Sequence, residues 1–171
     1  MVVDSPPAAT AGAFVEIAHR IVWCTLATVD RRGRPRSRLV HPIWQLDGDG
    51  LQGWVTSRRT PLKVAHLAHA PYVSCSYWDP AHDTAVAECH ATWIEDADEA
   101  LDVWERCRAL PPPAGFDPAA IWPGGPASGD AGLLHLRPWR LRVGTAAQLA
   151  ADEALVWRAG SGGGGALGPA E

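Results

Sequence analysis

"WCTLATVDRRGRPRSRLVHPIWQLDGDGLQGWVTS", Trp23 to Ser57, alternates short apolar runs with glycine-bearing breaks. "WCTLATV" (23–29) reads as a strand rich in β-branched and aromatic residues, and "DRRGRP" turns it at Gly33. "RSRLVHPIW" (36–44) continues as a second strand, "LDGDG" (46–50) is the next turn, and "LQGWVTS" (51–57) is the third strand. Strands joined by such short turns must be antiparallel neighbours, because parallel pairing needs a long crossover. The stretch therefore predicts an antiparallel meander.

On its N-terminal side, "AFVEIAHRIV" (13–22) sets Phe14, Ile17, Ala18 and Ile21 on one helical face. On the other side, Thr60 before Pro61 is an N-cap followed by proline at the first helical position, opening the short helix "PLKVAHLAHA". "YVSCSYW" (72–78) and "TAVAECHATWIE" (84–95) are strands around the turn "DPAHD". Asp96 and Glu99 make a capping-box-like start to "ADEALDVWERCRAL", which "PPP" at 111–113 ends. Residues 111–131 form a loop long enough to predict a lid or an oligomer contact. "LLHLRPWRLRVG" (133–144) reads as a last pair of strand segments broken at Pro138. This order predicts an α+β fold, a six-stranded antiparallel barrel with flanking helices. Its expected limits are a flexible tail over 1–12, one domain over 13–158, and a disordered Gly-rich tail over 159–171.

The 171 residues suffice for one buried core, and the 47% hydrophobic, 20% charged composition is that of an ordinary soluble domain. No apolar run approaches the roughly 18–20 residues of a membrane span. The first ten residues lack a secretory pattern. Four cysteines without CxxC spacing read as buried reduced thiols, which fits a cytoplasmic protein. The net charge is −4, yet residues 31–63 hold eight of the fifteen Lys and Arg against Asp47 and Asp49 alone. A local positive field on an acidic chain suits a small anion and argues against nucleic acid.

The cations converge on "TSRRTPLKVAHL" (56–67), which contains Lys63, the single lysine of the chain. Thr56 and Ser57 end a strand, Arg58 and Arg59 follow, and Lys63 falls in the first turn of the next helix. A helix N-terminus already favours an anion, so cations placed there are unfavourable unless something negative joins them. From spacing alone, a phosphate clamp and a solvated basic loop remain equally open. On the preceding strand, Arg34, Arg36, Arg38, Val40 and Pro42 share one face, and three arginines cannot all enter a dry core. That face is open to water at its start or meets an anion, and Arg38 is the arginine that could approach Thr56 and Ser57.

The succession "ATVD..GRPR", "HPIW", "TSRR…K", "YWDP" and "LRPWRLRV" resembles the flavin-binding split-barrel family related to pyridoxamine 5′-phosphate oxidase, over roughly residues 13–144. The resemblance implies a six-stranded split β-barrel and a homodimer with FMN at the subunit interface. It implies that Thr56, Ser57, Arg58 and Lys63 hold the flavin phosphate and that Arg38 reaches it from the second strand. Leu39, Val40, His41 and Pro42 would run beside the ribityl chain and ring. The residues that hold the substrate phosphate in true pyridoxamine phosphate oxidases are not found, so the expected activity is oxidoreduction of another small organic molecule. A deazaflavin in place of FMN, or a barrel that only stores a flavin or haem, are the alternatives. For haem, His41, His66 and His135 are the visible axial candidates. His66 and His69 share a helix face, but without HExxH or a third ligand no metal site is expected.

Overall fold

The computed structural model of the chain describes residues 6–48 and 50–160. The strand expected over 36–44 is two strands. β1 (Cys24–Val29) pairs with β2 (Pro35–Val40), whereas β3 (Pro42–Asp47) pairs with β4 (Gly50–Arg58). The break falls at His41, before Pro42, whose ring has no N–H to continue a ladder. After β4 come α2 (Pro61–His69), β5 (Tyr72–Trp78), β6 (Thr84–Trp93), α3 (Ala97–Ala109) and β7 (Ala131–Gly144). Two elements not expected from the sequence follow, α4 (Ala146–Ala150) and β8 (Leu155–Arg158).

All pairings are antiparallel, in the order β2-β1-β5-β6-β7-β4-β3, with β8 added to β7. β2 and β3 thus sit at opposite ends of the order while only His41 separates them in the chain. A sheet whose two ends meet at one residue must curl back on itself. The α+β antiparallel barrel is therefore as expected, with eight strands among the described residues rather than six.

Pro138 does not break β7. It lies opposite Cys89, where the register with β6 shifts by a bulge. On its other side β7 pairs with β4 through Leu136 and with β8 from Arg140, so Pro138 falls in the gap between partners. The missing N–H costs no ladder bond there.

Inward residues from the strands form the main core: Leu26, Val40, Trp44, Val55, Cys75, Tyr77, Leu136 and Leu141. α1 (Ala8–Ile21) packs Ala11, Phe14 and Ile17 against it. Residues 8–12, expected as tail, are thus helical, because Ala11 and Thr10 find burial that Pro/Ala-rich composition does not foretell. Phe14 meets Trp44 edge-on at 4.8 Å, and Trp44 Nε1 donates to the Tyr77 hydroxyl at 2.8 Å. Gly53 lies opposite Trp44, and a Cβ there would come within 2.5 Å of the indole. That close approach explains the glycine.

The other face of β3, β4 and β7 presents Ile43, Trp54 and Leu133 to Val103 and Cys107 of α3. Asp96 caps α3 by accepting from Asp98 N and Glu99 N. The 111–131 loop is anchored on this helix: Trp122 is buried near Trp104, and Phe116 N donates to Cys107 O. No helix among the described residues is long and apolar enough to cross a membrane. The expected tails at 1–5 and 161–171 lie outside the described residues.

Candidate functional site: a basic corner between two strands and a helix

Thr60 caps α2 as expected, its hydroxyl accepting from Lys63 N at 3.4 Å, with Pro61 next to it. The first turn of α2 holds no acidic side chain. The helical turn carries Lys63 inward, where only 6% of it is exposed. Its ammonium donates to Ser57 Oγ and, at 2.8 Å, to the carbonyl of Arg58. Both acceptors are uncharged.

Arg38 arrives from β2. Exposure along the arginine face runs from open at Arg34 and Arg36, through half-buried Arg38, to buried Val40. The dilemma of three arginines on one face is resolved by this gradient, which leaves only Arg38 partly inside. Its Nη2 donates to Thr28 Oγ1 at 3.0 Å, and its Nη1 is buried without a hydrogen-bond partner.

Two cations thus share a poorly hydrated corner, and among the described residues no carboxylate pairs with either. Burial, reinforced by the nearby Arg38 charge, pulls the Lys63 ammonium down to about 8. Burial and then Arg36 lower the Arg38 guanidinium from its ordinary value. Desolvated like charges and an orphaned donor are unfavourable, and a bound anion relieves both. A phosphate suits the donor set of one guanidinium and one ammonium beside the positive end of a helix. The corner therefore fits the phosphate end of a flavin nucleotide.

Some expected members stand elsewhere. Thr56 shares the face of Trp54, directed away from Ser57 by the two-residue period of an unbroken register. Arg58 contributes its carbonyl, but its guanidinium pairs with Asp130. Arg59 forms a bidentate pair with Glu95 at 2.5 and 2.8 Å and lies 5.1 Å from the Trp93 ring. These distant acids, supplied by the loop before β7 and the one before α3, could not be assigned from local sequence. Val40 and Pro42 are buried. Leu39 is 73% exposed on the outward face, a large apolar side chain held in water. His41 Nε2 donates to Ala114 O at 2.8 Å, and its ring lies 4.3 Å from that of Phe116. Burial lowers its pKa.

Sequence reading missed Thr28 and weighed His66 only as a metal ligand. Thr28 is wholly buried and His66 nearly so, and Thr28 Oγ1 lies 2.9 Å from His66 Nδ1. The available signals were a hydroxyl at the third inward position of β1, after Cys24 and Leu26, and a histidine three residues beyond Lys63 on one helix face.

The sequence profile described as pyridoxamine 5′-phosphate oxidase matches residues 11–143. The chain belongs to that family. Solved structures agree on the split-barrel fold. A protein related to general stress protein 26, from Clostridium acetobutylicum, is 12% identical, with a TM-score of 0.66 over 90% of this chain and 96% of that one. A pyridoxamine 5′-phosphate oxidase-related, FMN-binding protein from Nostoc punctiforme is 17% identical, with a TM-score of 0.58 over 89% and 91% of the two chains. A haem-binding protein from Mycobacterium smegmatis is 20% identical, with a TM-score of 0.59 over 90% of this chain and 58% of that one. No curated protein matches the sequence at a significant level.

Proposed function

We propose that this family member binds FMN through the Lys63–Arg38 corner and serves as a flavin-dependent oxidoreductase for a small organic substrate. The observation that carries the reading is that buried Lys63 and half-buried Arg38 have no carboxylate partner among the described residues, while Arg38 Nη1 is buried without a hydrogen-bond partner. A bound flavin would supply hydride or electron transfer. The chain's own part is to neutralise the phosphate with Lys63 and Arg38, to keep water from that corner, and to orient the remainder of the ligand along β2. The FMN-binding neighbour from Nostoc punctiforme supports the choice of cofactor.

In this reading the protein is a homodimer with the cofactor at the subunit interface. Trp23, Leu39, Tyr72 and Trp78 support it: each is more than half exposed, and all are directed outward from the β2–β1–β5 ladder or just before it. Large exposed apolar groups on one sheet face favour association. We place it in the cytoplasm, in keeping with four buried free thiols.

The haem alternative draws support from the haem-binding neighbour. Its three candidate ligands are each engaged already, His41 with Ala114 O, His66 with Thr28, and His135 Nε2 with Gln52 Oε1 at 2.7 Å. The absorbance spectrum of the purified protein, followed by titration with FMN and with riboflavin, tests the proposal. A flavin spectrum and a clear preference for FMN over riboflavin are expected. A Soret band, a deazaflavin peak, or indifference to the phosphate would overturn it. Turnover of the reduced cofactor by candidate acceptors then separates an enzyme from a carrier.

A further inference from the structure

A long arginine side chain that must meet an anion loses rotamer freedom on binding, unless the fold restrains it beforehand. Arg38 is restrained. Its guanidinium can only donate, so Thr28 Oγ1 is the acceptor in their 3.0 Å bond. The single hydroxyl proton of Thr28 can then go to His66 Nδ1 at 2.9 Å, an arrangement in which the imidazole proton sits on Nε2. Thr28 is 0% and His66 4% exposed, so water does not compete for either bond. The buried face of α2 that brings in Lys63 brings in His66 as well. With Nη2 held in this way, Nη1 is a buried donor left without a partner.

We propose that Thr28 and His66 are a positioning pair, holding one edge of the Arg38 guanidinium so that its other nitrogen meets the phosphate. This rests on the phosphate-clamp reading given above. Neither residue touches the anion, and both act through Arg38. A histidine that merely satisfied the core would, when replaced, cost stability and weaken every ligand alike. A positioning pair is selective for the phosphate.

Two measurements on the full chain test this. The first needs no ligand: long-range proton–nitrogen NMR of the histidine rings should show His66 with bare Nδ1 and protonated Nε2, and Thr28→Val should shift the Nδ1 resonance. The second compares FMN and riboflavin affinities for the wild type, Thr28→Val, His66→Leu and His66→Asn, with thermal melts to confirm folding. Thr28→Val and His66→Leu should weaken FMN binding by about five- to tenfold, the worth of one hydrogen bond to a charged group, and leave riboflavin unaffected. His66→Asn, whose amide oxygen can stand where Nδ1 accepts, should recover most of the loss. A His66 ring protonated on Nδ1, or equal losses for both flavins, would overturn the pair. If the wild type itself does not prefer FMN, the cofactor reading fails instead, and the NMR result still decides whether His66 holds Thr28.

Discussion

Lys63 and Arg38 meet in one corner, where burial and then the guanidinium charge lower the ammonium's pKa, and among the described residues no carboxylate pairs with either. One comes from the first turn of a helix and the other from a strand 25 residues earlier. Desolvated like charges are unfavourable by themselves, which is the reason the proposed phosphate is assigned to this pair.

Replacing either partner should therefore cost ligand affinity while sparing the fold. Lys63→Ala and Arg38→Ala should each weaken FMN binding by about tenfold or more in a fluorescence titration, since charge-assisted phosphate contacts are among the stronger hydrogen bonds. Arg58→Ala should change it by less than about threefold, because that guanidinium is exposed and paired with Asp130. Equal effects of Arg58 and Arg38 would place the anion outside the corner.

FMN affinity should fall as pH rises above about 8. Burial and Arg38 lower the unliganded Lys63 to about that value, whereas an adjacent phosphate favours the charged form and raises it. Between the two pKa values, binding must take up a proton, so affinity declines by at most about tenfold per pH unit. Lys63→Gln should abolish this slope in the same titration. A slope that survives the substitution would assign it to another group.

Gly53→Val should destabilise the barrel by about 1–3 kcal/mol through overpacking, since the new Cβ would meet the Trp44 ring at 2.5 Å. Urea unfolding with an unchanged m-value would report it. A neutral result would mean that Trp44 swings aside, contrary to its bond with Tyr77.

The thiols should be silent in the native protein. Cys24, Cys75, Cys89 and Cys107 are all buried, and burial raises Cys89 and pushes Cys107 up to about 12, while Cys75 is raised chiefly by its contact with Cys24. An aromatic disulfide reagent at pH 8 should label none within minutes and all four after denaturation.

What the sequence determined by itself was whatever depends on near neighbours. The Thr60–Pro61 helix start, the Asp96 cap, the glycine-bearing turns and the alternation that buries Leu26 and Val40 follow from local backbone and side-chain chemistry. The family pattern was legible in the same way, and the pairing of Lys63 with Arg38 on one anion was what that resemblance implied. Tertiary structure alone decided the rest. It split one strand at His41, carried Pro138 through a bulge, supplied Asp130 and Glu95 to neutralise Arg58 and Arg59, and gave Arg38 a buried hydroxyl instead of an acid. The physical reason is that a cation's role is set by whether a counter-charge lies within a few ångströms, and those neighbours are distant in the chain.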